Sequence, residues 1–321
     1  MTTMRAVIMD TTGAADVLHL ADVARPTRVN AELLVKVVAA GVNPIDAKTR
    51  SGKGAAGAIP AWPAILGNDL SGIVVESPYE AHPFKVGDEV YGMTMVPRIP
   101  GAYAEYASVP AMFLARKPRS LSHVEAAGVP LAALTAWAAV VDVAKAHEGQ
   151  RILIHAGAGG VGHFAVQFAE FFGAHVIATG SARNEEWLRE LGAREFIDYT
   201  SARFEEVVSG VDVVIDLIGN VADDTGTRSL ATLKPGGLIV NVPTGSWPTL
   251  VEDATAAGVR ATGVRVSPDG STLAVISRLI ESGDVRVYVD QVFELADAAD
   301  AHRALESGHT RGKIVLKVSD G

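Results

Sequence analysis

The sequence predicts an α/β protein in which a mainly β region precedes a doubly wound parallel sheet, and three observations predict it. The first 124 residues hold short apolar stretches separated by Gly, Pro, Asn and Asp, with no long helical period. From 125 to 266, apolar runs alternate with helical patterns, the mark of a parallel sheet covered on both faces. At the head of that alternation, residues 151–162 read Arg-Ile-Leu-Ile-His-Ala-Gly-Ala-Gly-Gly-Val-Gly, an order of strand, tight turn and helix.

A chain of 321 residues exceeds what one core usually covers, so two domains are expected. The net charge of −9 argues against general affinity for nucleic acid or an anionic membrane, both of which need a basic surface. With no cysteine there is no disulfide, thiolate nucleophile or Cys-bearing zinc site, and a cytoplasmic location is expected. Met1 to Asp10 do not read as a charged-then-apolar leader, so none is expected. The apolar run Ala126 to Val141 contains Gly128 and Pro130 and is too short to span a bilayer comfortably.

In the first region, strands are expected at Arg5–Met9, Leu33–Ala40, Gly72–Glu76 and Asp88–Tyr91, with turns at 85–88 and 100–101 and a loop over 51–63. Three clusters there carry polar chemistry. Asn43, Asp46 and Lys48 place an amide, a carboxylate and an amine together, as an active-site corner or as an Asn-Pro turn leading into a solvated helix. Asp69, in Leu66-Gly-Asn-Asp-Leu-Ser-Gly72, suits a tight turn that bonds backbone amides. The segment Gly101 to Tyr106 alternates as a strand, which puts Tyr103 and Tyr106 on opposite faces.

Ser122 and Glu125 form a capping-box pattern, and the helix that follows breaks near Pro130 and resumes over 132–145. After the glycine turn the alternation runs as strand 174–179, helix 184–192, strand 195–198, short helix 204–208 and strand 211–217. It closes with a helix to about 233 and strands at 238–242 and 259–266. With glycines at 157, 159 and 162 after the first strand, this is a Rossmann domain whose turn cradles a pyrophosphate at a helix N-terminus. An NAD site carries an acid roughly 20 residues past the turn. Here that strand ends Thr179-Gly-Ser-Ala-Arg-Asn184, so Ser181 and Arg183 point to NADP(H), whose 2′-phosphate they would bind. Past 266, helices are expected at 271–282 and 296–307 and strands at 285–293 and 313–318; His302 and His309 are expected on surface helix and loop positions.

The segments GVNPIDAK, PAILGNDLSG, FKVGDEVYG, GAYAEY, LTAW, AGAGGVG, LKPGG and RGKIVL together resemble the quinone oxidoreductase (zeta-crystallin-like) branch of the zinc-free medium-chain dehydrogenase/reductases, over nearly the whole chain. The resemblance implies a GroES-like catalytic domain from 1–124 plus 267–321, with the Rossmann domain 125–266 inserted in it. It implies NADPH-dependent reduction of a quinone or a carbon–carbon double bond conjugated to a carbonyl, in a homodimer joined through Rossmann edge strands. Asn43 and Asn68 stand where zinc-dependent relatives have Cys and His, and the nine histidines hold no i, i+4 pair, so no metal site is expected. Carried over by position, Asn43 lies near the nicotinamide ribose, Thr135 beside the nicotinamide half and Tyr199 beside the 2′-phosphate, and Val242 is a further cofactor-binding candidate. The stretch Gly157, Ala158, Gly159, Gly160, Val161 and Gly162 forms the turn, with the amides of 160 and 161 at the pyrophosphate. Candidate donors toward the substrate oxygen are Lys48, Asn43 and the Tyr103 hydroxyl, or a water; relatives often have tyrosine where Lys48 stands. Trp62, Met93, Met95 and Tyr103 are candidate pocket walls, and the loop 92–101 the candidate determinant of substrate shape. Two other readings stand beside this one: an alcohol dehydrogenase-type enzyme, and an NADPH-binding sensor or interaction protein without turnover.

Overall fold

The structure, a computed structural model, describes residues 2–95 and 101–320. The chain divides into two units, 1–134 with 267–321, and 135–266.

In the first unit, strand β1 (Thr3–Met9) pairs antiparallel with β2 (His19–Ala24) and with the short β4 (Ala64–Ile65). The eleven-residue β3 (Glu32–Val42) is the unit's central strand and leads into helix α1 (Pro44–Arg50). Pro44 sits in the first turn of α1, where its missing N–H costs nothing, and the Asp46 carboxylate takes the Asn43 N–H at 2.9 Å. Beyond it lie β5 (Asp69–Glu76), β6 (Glu89–Met93), β7 (Tyr106–Pro110) and β8 (Leu114–Arg116). The segment expected as a strand over 101–106 pairs only at Ala104, with Ala6; the regular strand begins at Tyr106. The reason is that Tyr103 gives its N–H to Leu66 O, in the loop after β4, and its carbonyl to the Val7 N–H of β1.

The capping box of α2 (His123–Ala127) forms as its sequence predicts, with Ser122 Oγ accepting the Glu125 N–H at 3.2 Å and Glu125 accepting the Ser122 N–H at 2.8 Å. That helix packs on β3 and β5, which moves the division of the chain to 134/135 rather than 124/125. Helix α3 (Pro130–Trp137) follows and passes into a π-helical turn, Ala138–Val143.

The second unit alternates β9 (Arg151–Ile154), α4 (Gly162–Phe171), β10 (His175–Gly180), α5 (Glu185–Glu190), β11 (Glu195–Asp198) and α6 (Phe204–Val207). It continues through β12 (Val211–Asp216), α7 (Thr225–Ser229), β13 (Leu233–Asn241), α8 (Leu250–Ala256) and β14 (Arg260–Gly263). Among the described residues its strands form one parallel sheet in the order β11-β10-β9-β12-β13-β14. Strands covered on both faces need no polar side, and Ile152, Leu153 and Ile154 are all fully buried. The strand order reverses between β9 and β12, so the carboxyl end of β9, where the glycine turn begins, is the switch point at which such sheets bind ligands.

The chain then returns to the first unit. Helix α9 (Gly270–Ser282) is capped by Asp269, which accepts the N–H groups of Ser271 and Thr272, and it stops at Gly283, whose φ of +85° suits glycine. Strand β15 (Val289–Glu294), α10 (Ala298–Glu306) and β16 (Lys313–Lys317) complete the unit. β16 pairs antiparallel with β3, from Ile314 opposite Val42 to Lys317 opposite Ala39, so the C-terminal segment rejoins the sheet of β3, in the order β15-β16-β3-β5-β6-β8 among the described residues.

Candidate functional site

The glycine turn is built by close approach. A Cβ on Gly162 would lie 2.2 Å from the Ala156 carbonyl oxygen, so only glycine lets α4 begin against the end of β9. Gly157 donates its N–H to Thr179 O at 2.9 Å and fits against Ala178, while a Cβ on Gly159 would meet only Ala156 O, at 3.3 Å. Packing therefore demands the third glycine and crowds the first, where a Cβ would lie 3.1 Å from Ala178, while the second meets a single neighbour and leaves its surface open for a ligand to approach. Ala158 is buried, whereas Gly160 and Val161, immediately before α4, are partly exposed. Their position gives a phosphate the positive end of the α4 dipole.

At the end of β10, Ser181 Oγ accepts from Asn184 Nδ2 at 3.2 Å, and Arg183 is exposed. Tyr199, 60 % exposed, follows β11 and donates its N–H to Gly180 O at 3.2 Å, which sets it beside the same strand end. The carboxylate there, Asp198, faces its own turn: Oδ1 accepts the N–H and hydroxyl of Thr200, at 3.0 and 2.7 Å, and the Ala182 amide also bonds it. These hydrogen bonds hold its pKa below the usual carboxylate range. Val242, half-buried after β13, donates its N–H to Asp216 O, and Thr135 is buried in α3.

In the first unit, the polar corner at Asn43 is the edge of a buried network. Asn43, 1 % exposed, donates from Nδ2 to Asp69 Oδ2 at 2.9 Å and accepts at Oδ1 from the Lys313 ammonium. Lys313 also reaches Val42 O at 3.2 Å and stands 3.9 Å from Asp69 Oδ2, while Asp69 Oδ1 takes the Leu131 N–H at 2.8 Å. Asp46 Oδ2 faces the Tyr103 hydroxyl at 3.3 Å, and that hydroxyl lies 3.2 Å from His302 Nε2. Burial drives the ionisations: it pushes Asp46 up to about 7 and Asp69 up to about 6, and lowers Lys313 despite both carboxylates. It also pushes the Tyr103 phenol well up and His302 down to about 3.

This arrangement corrects parts of the sequence reading. Tyr103 is fully buried with its hydroxyl committed inside the unit, so it is neither a pocket wall nor an exposed donor; its body packs the core and its tip joins the network. Met93 is likewise interior, whereas Trp62 and Met95 are exposed. Asn43 has both amide atoms bonded internally, and Lys48 is the exposed member of the three donor candidates. Asp69 bonds one backbone amide as expected, but from a strand rather than a turn. His302 is buried, not on a surface position, because α10 turns it against Tyr103; His309 is exposed. Of the loop 92–101, residues 96–100 lie outside the described residues.

Comparison with known proteins now decides the family. Residues 29–119 match the model described as alcohol dehydrogenase GroES-like domain, and residues 191–316 that described as zinc-binding dehydrogenase. The mitochondrial NAD(P)H oxidoreductase RTN4IP1 of Danio rerio is 34 % identical over 99 % of this chain and 92 % of its own. The chloroplastic NADPH-dependent alkenal/one oxidoreductase of Arabidopsis thaliana is 36 % identical over 98 % of this chain and 79 % of its own. The chain belongs to the medium-chain dehydrogenase/reductase family. The solved quinone oxidoreductase of Coxiella burnetii superposes on this dehydrogenase/reductase with a TM-score of 0.94, at 39 % identity, covering 99 % of this chain and all of that one.

As a medium-chain dehydrogenase/reductase the protein is an NAD(P)H oxidoreductase. Three residues that shape the glycine turn belong to no motif of the sequence: His155 Nδ1 lies 3.2 Å from Thr179 Oγ1, and its Nε2 lies 2.8 Å from Ser229 Oγ. A histidine between an apolar strand and a glycine turn was the available signal, since nothing polar is otherwise expected there. Lys313 was missed as well, a charged residue opening an otherwise apolar strand.

Proposed function

We propose that this dehydrogenase/reductase uses NADPH to reduce a quinone or an α,β-unsaturated carbonyl, without a metal, as a cytoplasmic homodimer. The observation that carries the cofactor preference is the end of β10. Ser181, exposed Arg183 and Tyr199 gather there, and the carboxylate of the neighbouring Asp198 is committed to Thr200 and to the Ala182 amide. A 2′-phosphate suits that chemistry, and a bare 2′-hydroxyl would lack the carboxylate it needs. Gly157 to Gly162 would hold the pyrophosphate, with Thr135 and Val242 toward the nicotinamide. NADPH, when bound, supplies the hydride. The chain's own part is to orient substrate and offset charge developing on its oxygen, for which exposed Lys48 is our candidate; a quinone can take its proton from water.

Metal independence draws support from Lys313. Its ammonium already occupies Asn43 Oδ1 beside Asp69, so a dication there would meet like charge at close range. Among the described residues no group of three or more His, Cys, Asp or Glu gathers as a ligand set. For the homodimer, the support is β14, which ends the sheet and presents an edge that a second copy could cover.

A panel of quinones and enones, followed separately with NADPH and NADH, tests this reading. NADPH should be preferred, Arg183→Ala should raise the KM for NADPH about tenfold while sparing NADH, and EDTA should leave the rate intact. Equal use of the two cofactors or loss of rate with chelator would overturn the corresponding part. Tight NADPH binding with no turnover anywhere on the panel would favour the sensor reading.

A further inference from the structure

We infer that His155 is the positioning residue of the glycine turn: as an uncharged imidazole protonated on Nε2, it acts through the Thr179 hydroxyl to hold Ala156 in the left-handed conformation on which the turn is built. The inference rests on the dinucleotide reading of that turn.

The proton positions follow from counting donors. The Thr225 carbonyl can only accept, so Ser229 Oγ, 2.6 Å away, spends its one proton on it. Ser229 Oγ must then accept from His155 Nε2 at 2.8 Å, which puts the ring proton on that nitrogen. Nδ1 is left as an acceptor for the Thr179 hydroxyl at 3.2 Å, and Thr179 Oγ1 in turn accepts the Ala156 N–H at 3.2 Å. One directed chain results, from the Ala156 amide through Thr179, His155 and Ser229 to the Thr225 carbonyl. An imidazolium would face Thr179 Oγ1 with a second N–H and leave the threonine proton without an acceptor. The surroundings agree with the neutral form. His155 is 1 % exposed and meets the edge of Phe204, with ring centroids 4.5 Å apart. Asp216 and Glu205 favour its charge, and Arg228 opposes it, yet burial outweighs them and holds the imidazole well below its ordinary value.

Ala156 is where this chain acts. Its φ is +49°, a conformation strained for a residue bearing a Cβ, which persists only where neighbours enforce it. Its N–H is held by Thr179, its carbonyl takes the Gly159 N–H at 2.9 Å, and Gly162 packs against that same carbonyl. The direction of one peptide therefore sets where the amides of 159–162 point. His155 itself continues the sheet, donating its N–H to Ile215 O at 3.1 Å, so the anchor of the chain is rigid.

The test is NADPH titration of the full chain, read by fluorescence, with the thermal midpoint recorded for each variant. Thr179→Val should raise the NADPH Kd about tenfold, and Thr179→Ser, which keeps the hydroxyl, should restore wild-type affinity. His155→Phe should weaken binding as Thr179→Val does, and the double variant should bind no more weakly than His155→Phe alone, because both changes cut one chain. Should His155→Phe fail to fold, the two Thr179 variants decide. The inference falls if Thr179→Val binds NADPH like the wild type, if Thr179→Ser is as weak as Thr179→Val, or if the two losses add. A wild type that binds neither NADPH nor NADH overturns the dinucleotide reading and this inference with it; a wild type that binds, beside an equally tight Thr179→Val, overturns this inference alone.

Discussion

Each unit buries a polar network next to residues expected to handle the cofactor, and the two networks are built on opposite electrostatic terms. In the second unit, His155, Thr179 and Ser229 form a directed chain of neutral groups that ends on backbone. In the first, Asp46 and Asp69 share the interior with Lys313, and burial opposes all three charges. A neutral chain fixes geometry without depending on pH, because no member changes charge over the working range. A network with two carboxylates and one ammonium holds its side chains as firmly, but it carries a proton whose place depends on solution pH. The cradle needs constant backbone geometry; the Asn43 corner, with exposed Lys48 on the same short helix, tolerates an environment that titrates.

The largest effect should come from taking away the one cation. Lys313→Met leaves Asp69 and Asp46 buried without their ammonium and Asn43 Oδ1 without its donor. Breaking a buried charge group from one side costs on the order of 3–5 kcal/mol, a large share of a domain's stability. Urea unfolding at pH 8 should show that loss, and adding Asp69→Asn should recover part of it. A Lys313→Met protein as stable as the wild type would remove the charged network from the comparison.

Next in size is the pH dependence assigned to Asp46. Its folded pKa, about 7, lies above the ordinary 3.8, so the folded state holds the proton more tightly than the unfolded chain. That contribution is present in full below about pH 4 and is lost as pH rises through 7. Asp46→Asn keeps an oxygen for the Asn43 N–H and the Tyr103 hydroxyl without the ionisation. Its stability relative to wild type should therefore climb between pH 4 and 8, by on the order of 2–4 kcal/mol. His302 works the other way: held neutral down to about 3, it withdraws stability as pH falls below 6.5. The difference between Asp46→Asn and wild type cancels that histidine, and a difference that stays flat across the range would sink the assignment.

The two networks were also unequally legible in sequence. The second unit's strands could be read because burial on both faces makes them continuous apolar runs, and the turn because close packing of α4 on β9 admits only glycine at 162. Local chemistry was legible too, as the Ser122–Glu125 capping box shows. Contacts far apart along the chain were not. Asn43 and Lys313 lie 270 residues apart, and only the pairing of β16 with β3 brings them together. Tyr103 and His302 each carry a polar tip that suits a surface, so neither residue type revealed that the tips satisfy one another in the core. The second network escaped for a different reason. His155 adjoins the glycine pattern, but that pattern consists of glycines alone, and the hydroxyls that complete the chain sit on β10 and α7.

The smallest predicted effect tests the neutral side of the comparison. Ser229→Ala removes the acceptor of His155 Nε2–H at the far end of the chain while leaving Thr179 and the Ala156 amide in place. The buried N–H then lacks a partner, at a cost of about 1–2 kcal/mol, and α7 loses the serine's bond to Thr225 O. Because no charge is involved, the loss measured by urea unfolding should be the same at pH 6.5 and pH 8 to within about 0.5 kcal/mol, where Asp46→Asn still changes. A Ser229→Ala deficit that grows toward low pH would mean that the imidazole takes up a proton there, and would erase the distinction between the two networks.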